Sequence, residues 1–129
     1  MPNMEWYNAL AKSALTPPPY VFQIVWPILY FLIAASLFVF LIKSKASYRY
    51  LGIIPFLLQL FLNLLWSPVF FEMQNIYGAL LILSLLIFAT IATIITFYKA
   101  SKISAWLLAP YFVWLLFAWY LNFAIWQMN

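Results

Sequence analysis

The sequence predicts an all-α membrane protein, a polytopic bundle of four spanning helices in one domain. Three observations carry this. Of the 129 residues, 69% are hydrophobic and only 6% charged, whereas a soluble domain carries about 25% charged residues. The charges, Glu5, Lys12, Lys43, Lys45, Arg49, Glu72, Lys99 and Lys102, all lie outside or at the ends of long apolar runs. Each run approaches the roughly 20 residues that cross a hydrocarbon core of about 30 Å. The runs are too long and too uniformly apolar for the alternating strands of a membrane barrel, so they must be helices.

The elements follow in order. Residues 1–19 read as an N-terminal lid loop, stiffened at "TPPPY" (Thr16 to Tyr20). A first helix covers about 20–42, with Pro27 eight residues in and expected to kink it. A second covers about 51–71, with Pro55 expected in its first turn, where a missing N–H costs little. A third covers about 76–98 and a fourth about 105–126, with Pro110 in the fourth helix's first turn. The links "KSKASYR", "EMQN" and "KASKIS" are short, which makes successive helices antiparallel. Trp6, Tyr7, Tyr20, Tyr48, Tyr50, Tyr98, Trp106 and Trp126 cluster near span ends and read as interfacial anchors. The only glycines are Gly52 and Gly78, with no GxxxG seam. Helix contacts must therefore use Ala, Ser, Thr and aromatic side chains.

Composition excludes much chemistry. Cys and His are absent. Disulfides, Cys/His zinc sites, thiolate or imidazole haem ligation and Ser–His nucleophiles are therefore ruled out. Glu5 and Glu72 are the only carboxylates and sit in different segments, so no metal site and no paired-acid mechanism is expected. The net charge of +4 forms no basic stripe and implies no nucleic-acid partner. Lys43, Lys45 and Arg49 mark one loop, Lys99 and Lys102 another, and the positive-inside rule puts loops 43–49 and 99–104 in the cytoplasm.

Polar groups at membrane depth carry the functional signal. Gln59, Asn63, Trp66 and Phe70 share one helical face; so do Trp114, Ala118 and Asn122, and so do Phe22, Trp26 and Tyr30. Amides are costly in lipid unless paired, so these faces should point into the bundle. They either hydrogen-bond between helices or line a cavity. An aromatic cavity with a few polar pins suits a large planar ligand.

The order of these residues resembles the TspO/MBR family, that of tryptophan-rich sensory proteins and translocator proteins. Trp6, Tyr7, Leu10, Lys12, Pro17, Pro18, Trp26, Leu29 and Tyr30 match its first block. Gln59, Asn63, Trp66, Phe70 and Phe71 match the second, and Pro110, Tyr111, Trp114, Leu121 and Asn122 the third. The resemblance implies a ligand site at Pro18, Phe22, Trp26, Tyr30, Gln59, Asn63, Trp66, Phe70, Trp114, Ala118 and Asn122. It implies a membrane receptor for protoporphyrin IX or another planar lipophilic molecule, bound as a ligand with no resident cofactor. For some members it implies light- and oxygen-dependent porphyrin breakdown, with Trp26 and Trp114 as the catalytic residues. It also implies a homodimer in a bacterial cell membrane. The family has five spanning helices, the first of them ahead of the Trp-Tyr pair, so this chain is expected to hold four of the five. Ser13, Leu15, Tyr20 and Pro27 depart from common family residues, and no Lys or Arg follows Lys102. The sterol motif of the family's last helix is therefore absent, and sterol handling is less favoured. Two other readings stand beside the receptor: a transporter of a lipophilic ligand, and a non-catalytic regulatory membrane protein.

Overall fold

The computed structural model describes residues 4–129. Its helices are α1 (Met4–Ala9), α2 (Pro19–Lys43), α3 (Tyr50–Ser67), α4 (Ile76–Ala100), α5 (Lys102–Leu107) and α6 (Ala109–Met128). One π-helical turn, Pro68–Glu72, extends α3. Among the described residues, four stretches are long and apolar enough to cross a membrane: Pro19–Lys43, Tyr50–Glu72, Ile76–Ala100 and Lys102–Met128. The protein is an all-α bundle of membrane-spanning helices.

Local chemistry sets the helix ends. Pro19 opens α2 at a position whose N–H would be unpaired anyway. Asn75 caps α4, its Oδ1 accepting the Gly78 N–H at 2.8 Å. A Cβ on Gly78 would lie 2.5 Å from the Asn75 amide nitrogen, so the tight cap needs glycine there. The reversal before α4 puts Gln74 at φ 53, a left-handed conformation that a non-glycine residue holds only at a cost of about 1–2 kcal/mol. Ser101 caps α5 through the Ser104 N–H.

Four details differ from the sequence reading. Within the expected lid loop, Met4–Ala9 is helical; residues 1–3 of that loop lie outside the described residues. The second span starts at Tyr50, so Pro55 falls in the interior of α3, where its ring removes the N–H that would reach the Leu51 carbonyl. The fourth span starts earlier than expected and is broken at Leu108, where Pro110 cannot donate to the Trp106 carbonyl. Tyr7 is no interfacial anchor: it is 7% exposed, because α1 folds back so that Tyr7 packs on Phe70 and Phe71. By contrast Tyr20, Tyr50, Tyr98 and Trp106 are exposed near span ends, as anchors must be.

Packing divides the bundle along its length. α4 is the hub and lies against α3, α5 and α6. α2 meets α5 closely but touches α4 and α6 only lightly, and among the described residues its backbone stands clear of α3. At the end where α2 finishes and α3 begins, the packing is tight. Phe97 stacks on Phe40 at 4.1 Å between ring centroids, and on Phe56 at 5.9 Å. A Cβ on Gly52 would sit 2.4 Å from Phe40 Cζ, so only glycine lets that ring lie against α3. Ser36 Oγ donates to the Ser104 carbonyl at 2.7 Å, and Ser104 Oγ donates to the Ser36 carbonyl at 2.8 Å. That reciprocal clasp, fully buried, ties α2 to α5. Toward the other end the core gives way to a hollow.

Candidate functional site

The hollow is a cavity of about 380 Å³ between α2, α3, α4 and α6. Phe22, Trp26 and Tyr30 come from α2, one turn apart each, so their rings form a ladder along one wall. Trp66 and Asn63 come from α3, and Trp114 and Ala118 from α6. Trp26 and Trp114 meet edge to face, with ring centroids 6.5 Å apart and planes at 88°. Phe22 packs edge-on against Trp114 at 5.7 Å, and Trp26 lies 5.6 Å from Tyr30. The cavity opens past Pro19, Gln23 and Tyr30, all of them exposed.

A hydrogen-bond chain crosses the floor. Tyr30 Oη donates to Asn63 Oδ1, tying α2 to α3. Asn63 Nδ2 donates to Tyr111 Oη at 2.9 Å, and Tyr111 Oη donates to Gln59 Oε1 at 2.7 Å. A second set fixes an indole: Trp66 Nε1 donates to Asn122 Oδ1 at 3.0 Å, and Asn122 Nδ2 donates to the Ile76 carbonyl at 3.2 Å. Trp66 also stacks on Phe70 at 5.0 Å. The Trp114 indole N–H is different. It is buried and has no partner among the described residues, an uncompensated donor.

Four residues set apart in the sequence lie off the cavity wall. Pro18 is displaced from it by Pro19, its neighbour. Gln59 sits one turn below Asn63, 1% exposed and held by Tyr111. Phe70 and Asn122 stand behind Trp66 and position it. The remaining residues named from the sequence, Phe22, Trp26, Tyr30, Asn63, Trp66, Trp114 and Ala118, share the one cavity. The wall also takes Ser67, Phe71, Tyr7, Gln23, Leu83, Leu86 and Leu115. Ser67 and Phe71 fall four and eight residues after Asn63, so the helical period already placed them on its face. The leucines carried no signal, being indistinguishable from lipid-facing ones.

The segment before α2 reaches across to the end of α6. The Asn129 side chain accepts from the Ala11 N–H at 3.2 Å and donates to the Ala11 carbonyl at 2.9 Å. Ser13 Oγ pairs with Tyr120 Oη at 3.2 Å. Lys12 closes α1 by donating to the carbonyls of Tyr7 and Leu10 at 2.9 and 3.0 Å, as a cation at a helix C-terminus should. Burial pushes the Tyr7 phenol above its ordinary 10, so it stays neutral. No lining residue is charged, and among the described residues no group of His, Cys, Asp or Glu could hold a metal. The cavity wall therefore offers ring faces and neutral polar groups.

The TspO/MBR family model matches residues 1–127. The tryptophan-rich protein TspO of Archaeoglobus fulgidus is 40% identical over 129 residues, across 96% of this chain and 80% of its own length. The protein of the same name from Chlorobaculum tepidum is 38% identical over 125 residues, across 96% and 79%. The human translocator protein is 33% identical over 129 residues, across 98% and 76%.

Proposed function

The chain belongs to the TspO/MBR family, and from that premise we propose that its cavity is a membrane receptor site for a planar tetrapyrrole such as protoporphyrin IX. One observation carries the reading: the indoles of Trp26 and Trp114, on separate spans, converge at 6.5 Å on a single open hollow. The volume falls within the range of about 300–1,000 Å³ usual for small-molecule sites. Flat rings from three helices offer π-faces, while Asn63 and the unpaired Trp114 N–H offer polar pins. The absence of charge on the wall favours a ligand that partitions from lipid.

The same site supports light- and oxygen-dependent breakdown of the bound ring. Dioxygen is the oxidant and light the energy source. One methine C=C bond of the porphyrin breaks, each carbon gains one oxygen atom of O2, and two carbonyls form, so no outside electron donor is needed. Trp26 and Trp114 would hold the excited ring and relay or quench the radical character that develops on it. The test is illumination of purified protein with protoporphyrin IX in air. Wild type should bleach the porphyrin band faster than Trp26→Phe and Trp114→Phe; identical decay in all three removes the catalytic claim and leaves the receptor claim to binding.

We propose an orientation as well. Lys43, Lys45, Arg49, Lys99 and Lys102 gather at the tight end, and Glu72 lies at the other. Loops 43–49 and 99–104 then face the cytoplasm of a bacterial cell membrane, and the chain works as a homodimer. Because the protein has no cysteine, Ser47→Cys and Gln74→Cys can be labelled singly in intact cells. Only Gln74→Cys should react with an impermeant maleimide.

A further inference from the structure

A second hollow lies on the outside of the bundle, independent of the tetrapyrrole reading. It is an open apolar groove of about 810 Å³ between α2 and the α5–α6 span. Val25 and Leu29 form one side, and Trp106, Pro110, Val113 and Phe117 the other. Within α5, residues 102 and 106 share a face, so exposed Lys102 stands one turn below exposed Trp106, at the foot of the groove. Lys43 ends α2 two turns below Ser36, and Ser36 is clasped to Ser104, two residues from Lys102. Lys43 and Lys102 therefore both lie at the end of the bundle where the foot of the groove stands.

Two magnitudes identify the occupant. From Trp106 to Phe117 the helix rises about 16 Å, close to half of the hydrocarbon core of about 30 Å. The groove is the depth of one leaflet. At its foot the charge is all of one sign, since Glu5 and Glu72 both belong to the opposite end of the bundle. An apolar slot one leaflet deep, with an indole at its rim and cations beneath, matches a lipid with an anionic headgroup.

We propose that this groove is a binding site for one anionic phospholipid, an acyl chain lying along Val113 and Phe117 and its phosphate between Lys43 and Lys102. Trp114 is the shared wall of this groove and the inner cavity, so the lipid seats against the back of an indole that faces the receptor site.

The experiment is native mass spectrometry of protein released from nanodiscs of equal phosphatidylglycerol and phosphatidylcholine. Wild type should retain one lipid per chain, enriched about fivefold or more for phosphatidylglycerol. Lys43→Gln with Lys102→Gln should abolish the enrichment without abolishing lipid retention. Val113→Trp should fill the slot and remove the retained lipid whatever its headgroup. Inorganic phosphate should displace nothing. Equal retention of both lipids by wild type, retention unchanged in Val113→Trp, or displacement by phosphate alone would each overturn the proposal. The lysines and Val113 are exposed, and circular dichroism of each variant checks that the fold survives.

Discussion

The two ends of this bundle are built from the same residue types and do opposite things with them. At the tight end Phe40, Phe56 and Phe97 stack in parallel, Gly52 admits a ring, and two serines satisfy each other completely. At the hollow end Trp26 and Trp114 stand edge to face, and one indole N–H has no partner. Lipid tails are as apolar as a leucine side chain, so helices in a membrane associate by packing and hydrogen bonds rather than by expelling water. Closed packing holds α2 to the bundle at one end, and a cavity lies beside it at the other. Closed packing and open cavity are thus segregated along the span axis.

That contrast can be broken from the tight side first. Phe97→Ala removes a ring with no exposure between two stacked neighbours. It should cost about 3–5 kcal/mol, read as a large fall in thermal stability in detergent. Ser36→Ala removes the hydroxyl that donates to the buried Ser104 carbonyl and should cost about 1–2 kcal/mol, measured the same way. At the hollow end, Ala118→Leu should change thermal stability by less than about 0.5 kcal/mol, since its added carbons enter empty space. A loss as large as that of Ser36→Ala would mean that the two ends are not independent. Asn122→Leu sharpens the picture: Trp66 loses its hydrogen bond, and its emission should shift while the helices stay folded. The smallest effect concerns pH. The Tyr7 phenol is raised above 10 by burial, so the fold favours its neutral form. That contribution is whole below pH 10 and is lost as pH rises past it. Wild type should therefore lose stability above pH 10 more steeply than Tyr7→Phe.

Much of this was legible in the residues. The spans could be read because the charges fall only at their ends. The α2 ladder of Phe22, Trp26 and Tyr30 and the α3 face of Asn63 and Trp66 could be read because the helical period puts them in line. What the period cannot show is which neighbour a face meets at a given depth. Gln59 and Asn63 lie on one face, yet Tyr111 takes Gln59 into the floor while Asn63 reaches the cavity. Asn122 shares a stripe with Trp114, yet it serves Trp66 on another helix. Tyr7 was hidden because its place depends on α1 folding back, a long-range contact with no local signature. Pro55 misled because the helix begins before the apolar run does.

The most direct measurement is titration of protoporphyrin IX into wild type and Ala118→Leu, following tryptophan emission. Filling the space beside Trp114 should weaken saturable quenching by at least about tenfold, or about 1.4 kcal/mol, with the fold intact. Superimposable titration curves for the two proteins would mean that porphyrin does not enter the hollow between α2, α3 and α6, and the receptor account would fail.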